Sequence, residues 1–170
     1  MKKFFVSLLL ILPFISAGAQ TIVTINTEKL LKSIPAYVAA QDELASLNEK
    51  YKAAIQSEVD EIEKLYNDYQ QKKYTLTASQ RSAAENEILS REKSTQEKEK
   101  IYFGEDGIMS KKSDELLLPI KEKVDASIKA AALAGGYAMV VDLAIAQSVV
   151  YSEGAKDITE IVLQIYNTLK

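Results

Sequence analysis

The chain has 170 residues with no His, no Cys and no Trp, so the side chains left for chemistry are 24 Asp and Glu, 21 Lys and Arg, and nine Tyr. Without His or Cys there is no Ser-His or Cys-His nucleophilic pair, and the usual zinc and haem ligand sets are missing. Acid–base chemistry by Asp, Glu, Lys or Tyr is left open by the composition. Charged helical faces bring carboxylates together by chance, however, and nothing here singles out a glycosidase-like pair. No D-x-D-x-D-G loop supports a Ca²⁺ site. Gly135-Gly136 lacks the following Lys-Ser/Thr of a phosphate loop and reads as a helix cap. No catalytic residue, metal or cofactor is expected. A pI near 5.2 argues against nucleic acid as a partner, because neutralising phosphates needs a basic face.

What does recur with a spacing is contact chemistry. Tyr51, Ile55, Val59, Ile62, Tyr66, Tyr69 and Tyr74 follow one another mostly at intervals of three and four. Such a stripe is first of all a core signal. It also suits an adaptable contact surface, since tyrosine offers apolar area with a polar tip.

These residues need a long helical support, and the chain supplies one. From Ala36 to Ala134 good helix formers dominate, with Gly only at 104 and 107 and Pro only at 119. A helix of that length must turn back. Tyr74-Thr-Leu-Thr77 interrupts the pattern, and Thr77-Ala-Ser-Gln80 fits a capping box, so the expected tip lies at 75–78. This predicts an arm spanning 36–118, with helices over 36–75 and 78–118, each about 60 Å long. Gly104, Gly107 and Pro119 are candidate hinges in the returning helix.

An antiparallel hairpin with that tip opposes residues whose numbers sum to about 153. Tyr51 then meets Tyr102 and Phe103, and Tyr66 meets Ile88. Ile55, Val59 and Ile62 instead face 90–100, a span with no apolar residue, so the middle of the seam is expected to be poorly filled. That gap would let the arms bend and leave an apolar patch open.

Both ends of the chain have a different character. Met1-Lys2-Lys3, the apolar run from Phe4 to Ile15 and Ala17-Gly18-Ala19 read as a signal peptide over 1–19, cut after Ala19. The apolar run is too short to span a bilayer, so no stable membrane insertion is expected. Removing it takes away Lys2 and Lys3 and turns the formal charge of −3 into −5. Residues 20–35 and 119–170 are expected to form a β-rich oligomerisation body. Its strands would be 21–26, 137–142 and 148–151, and its last helix would open on a capping box at Asp157-x-x-Glu160. Such a body is small for independent stability and would leave sheet edges open. Ile22, Val23, Ile25, Val140, Val141, Val149 and Val150 are therefore candidates for an inter-subunit core. The fold class is mainly α with a small β body, and a long antiparallel coiled-coil hairpin projecting from it.

Ile22-Val-Thr-Ile-Asn26 through Leu30-Leu31, Gly136-Tyr-Ala-Met-Val-Val-Asp142, Val149-Val-Tyr-Ser152 and Lys156-Asp-Ile-Thr159 resemble, in order and spacing, the Skp/OmpH family of periplasmic chaperones. Leu116-Leu-Leu-Pro-Ile120 resembles the segment where the returning arm re-enters the body. The resemblance implies a homotrimer shaped like a jellyfish, whose arms enclose unfolded outer-membrane β-barrel proteins. It implies a periplasmic holdase that uses neither ATP nor catalysis, and partners that include the outer-membrane assembly machinery. Well-known members are strongly basic. This chain departs from them, with eight acids against five bases in 36–75 and nine against seven in 78–118. A passive envelope coiled-coil structural or assembly protein is the alternative reading.

Overall fold

A computed structural model describes residues 21–169; the expected signal segment 1–19 lies outside them. Strand β1 (Ile22–Ile25) leads into the short helix α1 (Thr27–Lys32). The arm follows as α2 (Pro35–Lys72), α3 (Ala78–Phe103) and α4 (Ile108–Gly135). The chain closes with β2 (Met139–Asp142), β3 (Lys156–Asp157) and α5 (Thr159–Thr168).

The sheet has the order β2-β1-β3, and both pairings are parallel. Ile22 pairs with Met139 and Ile25 with Asp142. Parallel neighbours need long crossovers, and the β1–β2 crossover contains the whole arm. β1 is the central strand, and Val23, Thr24 and Ile25 are all buried, as a strand covered on both faces requires. Leu30 and Ile34 from the α1 region, Ile120 and Val124 from α4, and Ile158, Val162 and Tyr166 at the C-terminal end complete one core. Five of these side chains (Val23, Leu30, Ile34, Ile158 and Val162) are essentially inaccessible to solvent. Each contributes roughly 1.5–3 kcal/mol relative to exposure.

Two aspartates at strand ends tie the corner where β1 turns into α1. Asp142 accepts from the Thr27 backbone N–H at 3.1 Å and from its hydroxyl at 2.5 Å. Asp157 accepts from the Thr159 N–H at 2.8 Å, and the Thr159 hydroxyl oxygen accepts from the Asn26 N–H at 2.9 Å. The Thr159 bonds hold the Asp157 carboxyl below its ordinary range. Asn26 caps α1 by accepting from Lys29 N at 2.8 Å.

Four local expectations are corrected. Residues 148–151 are not a strand: they lie in the 143–155 connection, where Val150 is 99% exposed. The third strand is Lys156–Asp157, fixed beside β1 as Ile158 N–H donates to Thr24 O at 2.9 Å. β-branched composition marked the wrong segment because the free edge of β1 selects by position. The box at 157–160 does not form either. Asp157 bonds Thr159, and Glu160 pairs with Lys29 at 3.0 Å. The tip is 73–77, starting two residues before the expected position, because α2 stops at Lys72. There Thr77 and Gln80 do form the reciprocal capping box.

The fourth correction is the returning helix, which is two helices. α3 ends at Phe103, α4 begins at Ile108, and α4 continues through Pro119 without ending. Gly104 N–H donates to Lys100 O at 2.8 Å and Gly107 N–H to Gly104 O at 2.9 Å. A Cβ on Gly104 would stand 2.4 Å from Lys100 O, and one on Gly107 2.8 Å from Gly104 O. The break is thus a tight backbone turn that requires glycine at both positions. Further on, Gly136 at φ 63° caps α4 in the left-handed region.

Candidate functional site: the arm

The arm is a two-helix seam, and its filling varies along its length. Near the body the Tyr51 and Tyr102 rings stack with centroids 4.4 Å apart, and Phe103 meets both edge-on at 6.5 and 6.3 Å. Near the tip Tyr66, Tyr69 and Ile88 come together, and Tyr69 donates its hydroxyl to Glu85. That bond raises the Tyr69 pKa. On α2 the half-buried positions run Tyr51, Ile55, Glu58, Ile62, Leu65, Tyr69. They alternate in steps of four and three, a heptad seam.

This overturns the expected Tyr51, Ile55, Val59, Ile62 stripe. Glu58 takes the seam position, and Val59 turns outward, 43% exposed. The middle of the seam is not a gap but a polar layer. Thr95, 7% exposed, shares its one hydroxyl proton between Glu58 at 3.1 Å and Arg91 O of its own helix at 2.9 Å. Lys98 donates to the other Glu58 oxygen, and Arg91 reaches Glu61 at 3.1 Å. The Lys98 hydrogen bond holds the Glu58 carboxyl below its usual range, and the same bond raises Lys98. Polar 90–100 therefore has partners on α2 that apolar counting overlooks. The signal that could have found them is Glu58 facing Thr95, whose numbers also sum to 153.

The two faces flanking the seam differ. One holds a groove of about 580 Å³ lined by small and charged groups, among them Ala54, Ser57, Ser90, Ser94 and the Arg91–Glu61 pair. On the other, a groove of similar volume runs from Asn48 past Ile55 to Phe103, and a smaller one joins Phe103 to Gly104. A third, of about 310 Å³, is lined by Tyr66, Ile88 and Leu89. Leu89 and Phe103 are surface-exposed apolar residues that lie outside the expected client-contact stripe. Tyr74 stands 86% exposed at the tip, beneath the Lys73 ammonium. Tyr51, Ile55, Ile62 and Tyr69 instead lie half-buried in the seam.

In the body, Val23 and Ile25 belong to the chain's own core, and Val140 and Val141 are half-buried. They part company with Ile22, Val149 and Val150, which lie at the surface with Leu133, Met139, Ile145 and Tyr151.

Among the described residues no group of His, Cys, Asp or Glu could hold a metal ion, and no helix is long and apolar enough to cross a membrane. The arrangement offers contact surface. The model of the family described as outer membrane protein (OmpH-like) matches residues 21–166, which include the sheet, the arm and most of α5. The chain belongs to the OmpH-like family. A crystal structure from Caulobacter crescentus, assigned as an OmpH-like outer membrane chaperone, is similar with a TM-score of 0.65. It shares 14% identity, over 86% of this chain and 83% of that one, so the likeness is one of fold. No curated protein matches the sequence.

Proposed function

We propose that this OmpH-like protein is a periplasmic holdase that keeps unfolded outer-membrane β-barrel proteins from aggregating. The observation that carries the reading, beside the family, is a long arm with apolar groups left open along one face. Val59, Tyr66, Leu89 and Phe103 remain 37–61% exposed there. Unfolded β-barrel chains expose apolar faces and unpaired strand edges, and shielding these is what prevents aggregation. Many weak contacts sum to high affinity while each stays exchangeable, so no ATP is needed for release.

The working unit is a homotrimer. Ile22, Leu133, Met139, Val149, Val150 and Tyr151 give the small body an exposed apolar surface that other copies would cover. Three arms then enclose the client, and a more favourable sink such as the assembly machinery receives it. Export depends on the signal segment 1–19.

Dilution of a urea-unfolded β-barrel protein with and without this protein, read by light scattering, tests the proposal. Suppression near one trimer per client is expected. Absence of suppression at severalfold excess overturns it. Sedimentation tests the trimer separately, and Val150→Asp is expected to shift it to monomer.

A further inference from the structure

The open face of the arm carries charge with the same period as its apolar groups. On α3 the stripe beside the seam reads Glu85, Leu89, Glu92, Gln96, Glu99, Phe103. Glu85 and Glu92 line the Tyr66–Leu89 groove, and Glu99 lines both grooves at Phe103. The three carboxylates are seven residues apart, and none forms an ion pair among the described residues; Glu85 accepts only the Tyr69 hydroxyl. On α2 the matching stripe carries Lys52, Val59 and Tyr66, also seven apart. On the opposite face the carboxylates have a cation beside them, since Arg91 lies 3.1 Å from Glu61 and 3.7 Å from Glu87.

We infer that this face docks an amphipathic helix bearing Lys or Arg at heptad spacing, laid as a third strand into the groove between α2 and α3. The period selects a helix over an extended chain. Carboxylates seven residues apart recur every ~10.5 Å along α3, and a partner helix repeats its own side chains at the same interval. An extended chain repeats a face every ~6.8 Å and falls out of step at once. The charge selects a basic partner, because an acidic one would bring like charges against an unpaired ladder. The face runs about 27 Å from Phe103 to Glu85, room for some two and a half heptads. The apolar anchors would be Val59, Leu89 and Phe103, with Tyr66 closing the tip end, the helix-in-groove mode. This partner goes beyond the unfolded β-barrel client, and the two readings stand or fall separately.

The test is fluorescence anisotropy with three labelled peptides of about 21 residues, three heptads. One has Leu at a and d with Lys at e and g, one has Glu in place of Lys, and one has the Lys composition in strict alternation. The purified protein is expected to bind the heptad Lys peptide about tenfold tighter than the Glu peptide, ~1.4 kcal/mol over three rim pairs. The bound peptide gains helical circular dichroism. The triple variant Glu85→Gln, Glu92→Gln, Glu99→Gln erases the preference, while Glu61→Gln with Glu87→Gln on the opposite face leaves it. Equal binding of Lys and Glu peptides overturns the inference. So does tighter binding of the alternating peptide, or loss of the preference in the opposite-face variant. Aggregation suppression is measured on the unmutated protein alongside; its absence with the peptide preference present counts against the chaperone reading alone.

Discussion

Body and arm draw on the same aliphatic and aromatic residues and bury them to different depths. In the body, β1, α1, α4 and α5 close around side chains with essentially no solvent access, such as Leu30, Ile158 and Val162. In the arm two helices have only each other, so Tyr51, Ile55, Ile62 and Tyr69 stop at half-buried, and one layer is given to Glu58, Thr95 and Lys98. A third neighbour is what separates the two. Where it exists, burial sets the stability; where it is missing, the helices keep an open side on which a partner can supply it.

The sharpest break of this contrast is in the body. Leu30→Ala is expected to cost about 2–5 kcal/mol in urea unfolding, since no neighbour can collapse into the space. Gly104→Ala comes next, at about 1–3 kcal/mol, because its Cβ meets the Lys100 carbonyl at 2.4 Å and the turn between α3 and α4 must shift. In the seam, a Tyr51→Ala, Tyr102→Ala double-mutant cycle is expected to yield a coupling of about 0.5–1.5 kcal/mol, the stacking contribution alone.

The polar layer gives the smallest effect. Glu58 has its pKa lowered in the fold, so its contribution is fully present above the ordinary carboxylate range and is lost as pH falls through the folded value. Lys98 has its pKa raised, so its contribution is full below the ordinary ammonium range and is lost as pH rises through the folded value. Arm stability should therefore be flat between about pH 5 and 10 and weaken outside that window. Amide exchange of 55–62 and 91–98 against pH reads this directly. Glu58→Gln should flatten the acid limb while leaving the melting temperature within a few degrees, and an unchanged acid limb would remove the layer from the account.

Local signals and pair sums were legible in the sequence. Thr77 and Gln80 announce the start of α3 by their spacing alone, and the sum of 153 places Tyr51 against Tyr102 because a hairpin maps number onto position. What stayed hidden was set by competition between distant segments. Lys156–Asp157 has no strand pattern and wins the edge of β1, while Val149 and Val150 remain in the crossover. The seam shift from Val59 to Glu58 was hidden for a related reason. Apolar counting ranks valine above glutamate, but the helix phase set by Ile62, Leu65 and Tyr69 puts 58 inside, and Thr95 and Lys98 make it tolerable there. The open face with Leu89 and Phe103 follows from that same phase.

Ile22 and Met139 are neighbours in the sheet, yet the whole arm lies between them in the chain. Closing so long a loop as random coil carries an entropic penalty that grows with the logarithm of its length. A hairpin that zips from its own five-residue turn by local contacts brings the two strand ends together beforehand, so the effective loop shrinks to the few residues at the base. The arm is thus also the jig on which the sheet is assembled. Its reach can change by matched heptads added to or taken from both helices, without asking anything new of the body.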